Sequence, residues 1–432
     1  MALTLTTPQP TPGKSDWFQH DRFGMFIHWG TYSLAARHEW VKSREQIPTE
    51  VYDKYFKHFD PDLYDPKAWA KAAKEAGMKY FVITTKHHEG FCLWDTKYTD
   101  YKATNTPYAQ DVLTPMVEAF RNEGLKVGFY HSLLDWHHPD YTVDGPHPMR
   151  ENEEYIARDK ERNLERYVEY LHNQTEELMT QFGKIDILWY DFSVAPTARF
   201  AGKGKEQWHS EELLKLIRKY QPDILINDRL QIDQDIKTPE QYQPRSWLQV
   251  NGKPVVWEAC QTFSGSWGYH RDEASWKSLD MLVKMLVDSV SKGGNLLLNV
   301  GPTARGEFDS RAKERLSGMG EWMHYNSRAI YGCTQAPAEF KCPEDCRFTY
   351  NPETNRLYLH VFSWPFRHIH LDGFAGKIDY AQLLYDGSEI QFKEGNGGTG
   401  GHMDYDGGVG TVTLELPIRE PGVVPVIELF LK

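Results

Sequence analysis

Cysteine is scarce in this chain of 432 residues, which holds five, at Cys92, Cys260, Cys333, Cys342 and Cys346. An odd, scattered set excludes a disulfide framework as the basis of the fold. Cys342 and Cys346 have a spacing that a pair or a metal could use, but two solvent-near thiols is the simpler expectation. There is also no apolar run of the ~18 residues that a membrane span requires, so no membrane partner is expected. The N-terminus, MALTLTTPQPTPGKSDWF, has neither a basic start nor an apolar core, so it does not read as a secretory leader. A cytoplasmic protein is expected, or a secreted or periplasmic one whose leader has been removed. Positive charge is in deficit, with 49 basic against 61 acidic side chains and a net charge of −12. That argues against nucleic acid, whose binding rests on Lys and Arg neutralising phosphates.

Several chemical signatures are missing as well. No glycine-rich phosphate loop follows a strand-like run, so dinucleotide chemistry has no support and no cofactor is expected. No G-x-S-x-G elbow suggests a serine hydrolase. Neither H-E-x-x-H nor H-x-x-x-H occurs. The adjacent His87 and His88, if both lie on a strand, point to opposite faces and do not readily share one ion. No metal is therefore assigned.

What is abundant is aromatic: 14% of the chain, including 14 Trp and 24 Tyr. Such side chains combine an apolar face with a polar handle, which suits sugars as well as cores. Short apolar runs at 24–30, 80–88, 126–132, 185–193, 223–229, 255–263 and 295–302 alternate with amphipathic stretches at 66–78, 114–125, 161–182, 210–220 and 278–293. Continuous apolar strands separated by helices predict a helix-covered parallel sheet. Their number favours an α/β fold of the (β/α)8 barrel type over an open sheet. After about residue 338 the pattern changes to short strands split by Gly, Pro and Asn clusters such as GNGGTGG, which predicts an antiparallel β-sandwich. The expected organisation is a flexible lead over 1–14, a catalytic barrel over 15–335 and a sandwich over 336–432.

A barrel places chemistry at the C-terminal ends of its strands. Successive runs here end in His28 and Trp29; in Lys86, His87, His88 and Glu89; in Tyr130 and His131; in Trp189, Tyr190 and Asp191; and in Asn227, Asp228 and Arg229. The next contains Glu258 and leads to Trp267 and His270. This describes a polar, aromatic-walled mouth. Its carboxylates suit glycoside hydrolysis, which needs a nucleophile or base and a proton donor. Asp191 ends its strand at the mouth, whereas Asp186 stands at the opposite end, where residues serve stability.

At these residues the sequence resembles family 29 of the glycoside hydrolases, the retaining α-L-fucosidases. The motifs that carry the resemblance are FGMFIHWG, HEW (38–40), TTKHHEGFCLWD (84–95), GFYHSLLDW (128–136), ILWYDFS, INDR, KTPEQ (237–241), WEACQTFSGSWGYH (257–270) and GGNLLLNVGPTARGEF (293–308). The resemblance implies Asp191 as nucleophile and Glu240 as acid/base, with Glu258 as the rival for the second role. It implies that His28, Glu39, Trp40, His87 and His88 hold fucose hydroxyls. Trp189 and Arg229 are implied as pocket residues, and Trp267 as the aromatic facing the sugar's methyl group. Tyr130 and His131 join the expected substrate-binding set. The sequence departs from the family pattern at His131, where Tyr is common, at Glu89, where Asp is usual, and at Val41, where an aromatic is frequent. The implied partner is a fucosylated oligosaccharide or glycoconjugate, and self-association is left open. Two other readings stand beside this one: a fucose-binding lectin on an inactive barrel, and a metal-dependent hydrolase.

Overall fold

A computed structural model describes residues 3–197, 201–395 and 408–432. The predicted GNGGTGG linker lies outside the described residues beyond Gly395.

Seven strands form one parallel sheet: β1 (Phe23–Ile27), β2 (Tyr80–Lys86), β3 (Lys126–Ser132), β4 (Ile187–Asp191), β5 (Leu225–Ile226), β6 (Glu258–Thr262) and β7 (Asn295–Val300). Their order is β5-β4-β3-β2-β1-β7-β6. Segment 236–241 lies between the two outer strands. Ile236 bridges Asn227, just beyond β5, while Lys237 and Glu240 bridge Trp257 and Cys260 on the β6 side.

The strands are buried on both faces, and alternate residues divide between two apolar clusters. Phe26, Val82, Tyr130, Ile187, Trp189, Cys260 and Leu297 pack on the inner side. Met25, Phe81, Phe129, Leu188, Ala259 and Leu298 pack outward against the helices. This two-residue period dictates which polar groups can meet inside the sheet. The helices begin where the sequence supplies caps. In α1 (Pro66–Glu75), Asp65 accepts from the Lys67 and Ala68 amides, and Pro66 occupies a position that needs no amide hydrogen. Its buried face carries Trp69, Ala70 and Ala73. Helices α2 (Leu113–Asn122), α3 (Leu164–Gln181), α4 (Ser210–Tyr220), α5 (Leu279–Val290) and α6 (Ser310–Asn326) complete the outer layer.

Several predicted strands are shorter than their apolar runs. β1 stops at Ile27 and β2 at Lys86, so His28, His87 and His88 leave the extended register. The run at 223–229 yields only Leu225–Ile226, because a 3-10 turn over Asp228–Leu230 follows at once. The N-terminal lead is held by hydrogen bonds: the Gln9 amide donates to the Pro254 carbonyl at 2.8 Å, and the Gly13 amide to Asp235 Oδ1 at 2.6 Å.

Beyond residue 333 the strands are antiparallel. Strands β8 (Thr334–Gln335), β9 (Cys346–Asn351), β10 (Arg356–Val361), β12 (Ile378–Leu383) and β15 (Val426–Leu431) make one sheet in the order β8-β9-β10-β15-β12. A second sheet has the order β11-β14-β13, from β11 (His368–Asp372), β13 (Phe392–Glu394) and β14 (Thr411–Glu415). Side chains of both sheets, including Phe348, Leu359, Leu371, Leu414 and Leu429, share one apolar cluster. Arg347 Nε pairs with Asp288 Oδ1 of α5 at 2.9 Å, and Trp322 Nε1 of α6 donates to the Val424 carbonyl at 3.2 Å. All five cysteines are free thiols. The expectation of two solvent-near thiols fails at Cys346, which opens β9 and packs into the cluster between the sheets, while Cys342 is exposed. No described helix is long and apolar enough to cross a membrane.

Candidate active site

The C-terminal ends of the strands surround a cavity. Its walls are Phe26, His28, Trp40, His87, His88, Tyr130, Trp189, Asp191, Phe192, Glu240, Cys260 and Trp267. Five of the twelve, Phe26 on β1 among them, arrive by inner-face parity. Tyr130 on β3, Trp189 and Asp191 on β4, and Cys260 on β6 all point inward. Trp40 and Phe192 close one side, with ring centroids 5.2 Å apart. Phe26, Trp189 and Trp267 form an apolar wall, with Phe26 5.2 Å from Trp189 and 5.9 Å from Trp267.

Two carboxylates meet at this cavity through one guanidinium. Arg229, on the turn after β5, donates from Nη1 to Asp191 Oδ1 at 2.9 Å and from Nη2 to Glu240 Oε2 at 3.0 Å. Its Nε and Nη2 also donate to the Thr238 hydroxyl and carbonyl, each at 3.2 Å. The guanidinium is thus fixed in its plane, as bidentate recognition requires. Asp191 receives two further hydrogen bonds: its Oδ2 from the Tyr130 hydroxyl at 3.1 Å, and its Oδ1 from the Phe192 amide at 3.0 Å. Glu240 retains 42% side-chain exposure against 17% for Asp191. Burial, then the Asp191 charge, push the Glu240 carboxyl up, against the pull of Arg229. Asp191 therefore accepts three hydrogen bonds, while Glu240 is biased toward holding a proton.

The backbone beside these carboxylates is held in the left-handed region. Phe192, after Asp191, has φ +70°, and Gln241, after Glu240, has φ +58°. Non-glycine residues persist there only when their surroundings enforce it, at a cost of about 1–3 kcal/mol each. His38, before Glu39, has φ +97°.

The predicted site residues divide into four groups. His28, Trp40, His87, His88, Tyr130, Trp189, Asp191, Glu240 and Trp267 line the cavity. Arg229 and Glu39 stand behind it. Glu39 is 1% exposed, and its Oε2 accepts from the Trp267 amide at 3.1 Å, the Gly268 amide at 2.8 Å and the Ser266 hydroxyl at 3.3 Å. Although burial pushes Glu39 up, His38 and the Gly268 amide hold it down at about 2. It thereby anchors the loop carrying Trp267. Glu258 lies on the inner face nearer the floor, fully buried, bonded to the Tyr80 hydroxyl at 2.5 Å and to Trp189 Nε1 at 3.3 Å.

His131 is brought to none of these places. It follows inward-facing Tyr130, so its ring turns outward toward Trp94 and Tyr190, where Nδ1 meets the Thr85 hydroxyl at 3.0 Å. Its placement at the mouth is therefore corrected by strand parity. The parity argument used for His87 and His88 also needs correction. Both follow the last residue of β2, their ring centroids lie 4.1 Å apart, and both face the cavity. Among the described residues, no group of three or more His, Cys, Asp or Glu is placed to hold a metal ion. Phe26, Phe192 and Cys260 were missed as wall residues. Stepping back two positions from His28, or forward two from Glu258, would have found the first and last.

The alpha-L-fucosidase family model matches residues 7–328. Plasma alpha-L-fucosidase of Homo sapiens is 30% identical over 380 residues, 81% of this chain and 76% of that protein. Among solved structures, alpha-L-fucosidase isoenzyme 1 from Paenibacillus thiaminolyticus superposes with a TM-score of 0.89 at 45% identity, covering 97% of this chain and 98% of that one. A trapped covalent intermediate of the GH29 alpha-L-fucosidase from Bacteroides thetaiotaomicron, in complex with 2-fluoro-fucosyl fluoride, gives a TM-score of 0.82 at 29% identity, with both chains fully covered. With the family model spanning residues 7–328 and similarity along most of its length, this chain belongs to the alpha-L-fucosidase family.

Proposed function

We propose that the chain removes terminal α-L-fucose from oligosaccharides or glycoconjugates with retention of configuration. The observation that carries this reading is the single Arg229 guanidinium bonded to both Asp191 and Glu240 at the cavity.

In the first step an Asp191 oxygen attacks the anomeric carbon. The bond from that carbon to the leaving oxygen breaks as the Glu240 carboxyl delivers its proton to it. In the second, Glu240 takes a proton from water, whose oxygen displaces Asp191 from the sugar. The Asp191 charge is one of the forces raising Glu240. Forming the ester removes that charge, so Glu240 becomes the stronger acid and is more readily ionised when it must act as base. Arg229 stays cationic throughout, and Tyr130 steadies the Asp191 oxygen facing it. The Phe26, Trp189 and Trp267 wall gives the methyl group of fucose an apolar niche. One methyl is worth only ~1–3 kcal/mol of discrimination, so hydroxyl recognition by the histidines supplies the larger share.

The architecture we infer for this chemistry is a (β/α)8-type barrel, in which 236–241 serves as the closing segment, followed by a C-terminal β-sandwich. Residues 15–335 and 336–432 are the proposed units. Turnover of a chromogenic α-L-fucoside, followed by polarimetry or NMR of the first-formed anomer, tests the function. Release of α-L-fucose as the initial product is expected, and it should persist in excess chelator. Binding without turnover would leave a lectin, and release of the β anomer would overturn retention.

A further inference from the structure

Three imidazoles face the cavity, those of His28, His87 and His88. Which nitrogen of each carries the hydrogen follows from what the inward-turned Nδ1 meets. His28 Nδ1 lies 2.6 Å from Asn299 Oδ1, while the Asn299 amide nitrogen donates to the Trp267 carbonyl. An amide oxygen only accepts, so the His28 ring donates. His88 Nδ1 lies 2.6 Å from the Ser132 hydroxyl oxygen. The hydrogen of that hydroxyl is engaged with the Leu134 carbonyl at 2.8 Å, so the His88 ring donates as well. Burial keeps both rings neutral, His28 down at about 3. Each therefore leaves its Nε2 without hydrogen, and that of His88 lies 3.9 Å from Asp191 Oδ2 at the cavity.

His87 lacks such a neutral partner. Its Nδ1 is buried, and the polar atom it faces is Glu89 Oε2 at 3.5 Å. That oxygen is also buried and, like His87 Nδ1, makes no hydrogen bond among the described residues, so the two orphaned atoms face each other. Glu89 is 1% exposed, and its other oxygen accepts from the Thr31 hydroxyl at 3.4 Å. A Cβ on Gly30 would come within 2.9 Å of that same oxygen, so the glycine of the HWG motif makes room for the carboxylate. The wholly buried Lys42 ammonium supplies compensating positive charge.

We propose that Glu89 is a positioning residue for substrate binding: its carboxylate accepts the Nδ1 hydrogen of His87, so that all three cavity imidazoles offer Nε2 as acceptors to sugar hydroxyls. This rests on the reading that the cavity holds a fucosyl unit. A site lined by acceptors of this kind selects hydroxyl groups that donate. Analogues carrying fluorine where these hydroxyls stand keep the size and lose the hydrogen.

The test uses the full chain with ring-nitrogen-labelled histidine. Long-range proton–nitrogen spectra should show His87 with the hydrogen on Nδ1 and a bare Nε2. Glu89→Met keeps the length and removes the acceptor; Glu89→Asp keeps the acceptor. For Glu89→Met, kcat/KM on an aryl α-L-fucoside should fall about 10- to 100-fold, mostly through KM, with the His87 signature lost. Glu89→Asp should recover much of both. A wild-type His87 protonated on Nε2, or a Glu89→Met enzyme with unchanged KM and ring signature, would overturn the proposal. If Glu89→Met does not fold, the wild-type tautomer alone decides. A chain inert toward fucosides whose His87 still carries hydrogen on Nδ1 would break the functional reading and leave the Glu89–His87 bond standing.

Discussion

Glu240 lies beside the strand that carries Glu258, bridging Cys260 two positions above it. Their surroundings differ completely. At the rim, Glu240 is partly open, paired with Arg229 and close enough to Asp191 to feel its charge. Near the floor, Glu258 is sealed between Tyr80 and Trp189 and pushed up to about 7, chiefly by burial. Both carboxyls favour a proton, and burial is the first cause in each. The rim group is raised further by the Asp191 charge, which the proposed reaction would remove. The floor group has no such neighbour, and no reaction step changes its burial. A raised pKa alone therefore does not mark an acid/base. What separates the two is access to the cavity and coupling to Asp191. Asp186 and Asp191 repeat the contrast along β4: Asp186 caps the floor by accepting from the Val127 amide at 3.0 Å, while Asp191 faces the mouth.

The largest effect is expected at the rim. Asp191→Gly should lower kcat by on the order of 10⁴-fold, with azide restoring part of the activity by forming a fucosyl azide. The corresponding floor change, Asp186→Asn, should leave kcat near wild type. Full activity in Asp191→Gly would dissolve the distinction between rim and floor.

Next comes the choice of glutamate. Glu240→Ala should slow alkyl fucosides by about 10²- to 10⁴-fold and aryl fucosides with good leaving groups far less, since only the former need a proton. Glu258→Gln should slow both equally and modestly. The reverse pattern would move the acid/base to the floor.

Much of this was legible in the sequence, for reasons that also explain the misses. The alternation of buried strands and capped helices is a local property, and the seven parallel strands follow it. Polar residues at strand ends announced the mouth. Where a strand ends is not local, however. β2 stops at Lys86, and that termination turns His87 and His88 toward the same cavity. Segment 236–241 has too little apolar periodicity to read as a strand, yet its bridges place Glu240 at the rim. Glu39 resembled a sugar ligand in its motif, but its partners are backbone amides of residues 267 and 268, which no pattern predicts.

The floor makes its own prediction, in stability. A carboxyl raised from 4.5 to about 7 favours the folded state while both folded and unfolded forms are protonated. That contribution is complete below the unfolded value and is lost as pH rises through about 7. The full difference corresponds to roughly 3 kcal/mol. Buried neutral histidines such as His28 and His360, both held down at about 3, act on the other side and weaken the fold as pH falls below the ordinary histidine value. Denaturant midpoints compared between wild type and Glu258→Gln from pH 5 to 8 isolate the first effect. The wild type should lose stability relative to the variant as pH rises, and parallel curves would show that Glu258 does not titrate in this range.

The smallest effects separate the two faces of β3. Tyr130 and His131 are adjacent, yet one donates to Asp191 and the other packs outward against Trp94 and Tyr190. Tyr130→Phe removes a hydrogen bond to a charged oxygen and leaves the ring in place. It should cost about tenfold in kcat with little change in unfolding midpoint. His131→Gln disturbs the contact with Thr85 and should cost about 1 kcal/mol of stability, with kcat/KM within about twofold of wild type. The two readouts should therefore exchange between neighbouring residues. If His131→Gln instead reduced kcat as strongly as Tyr130→Phe, the outer face would be communicating with Asp191, and strand parity would no longer suffice to tell a residue of the site from a residue of the scaffold.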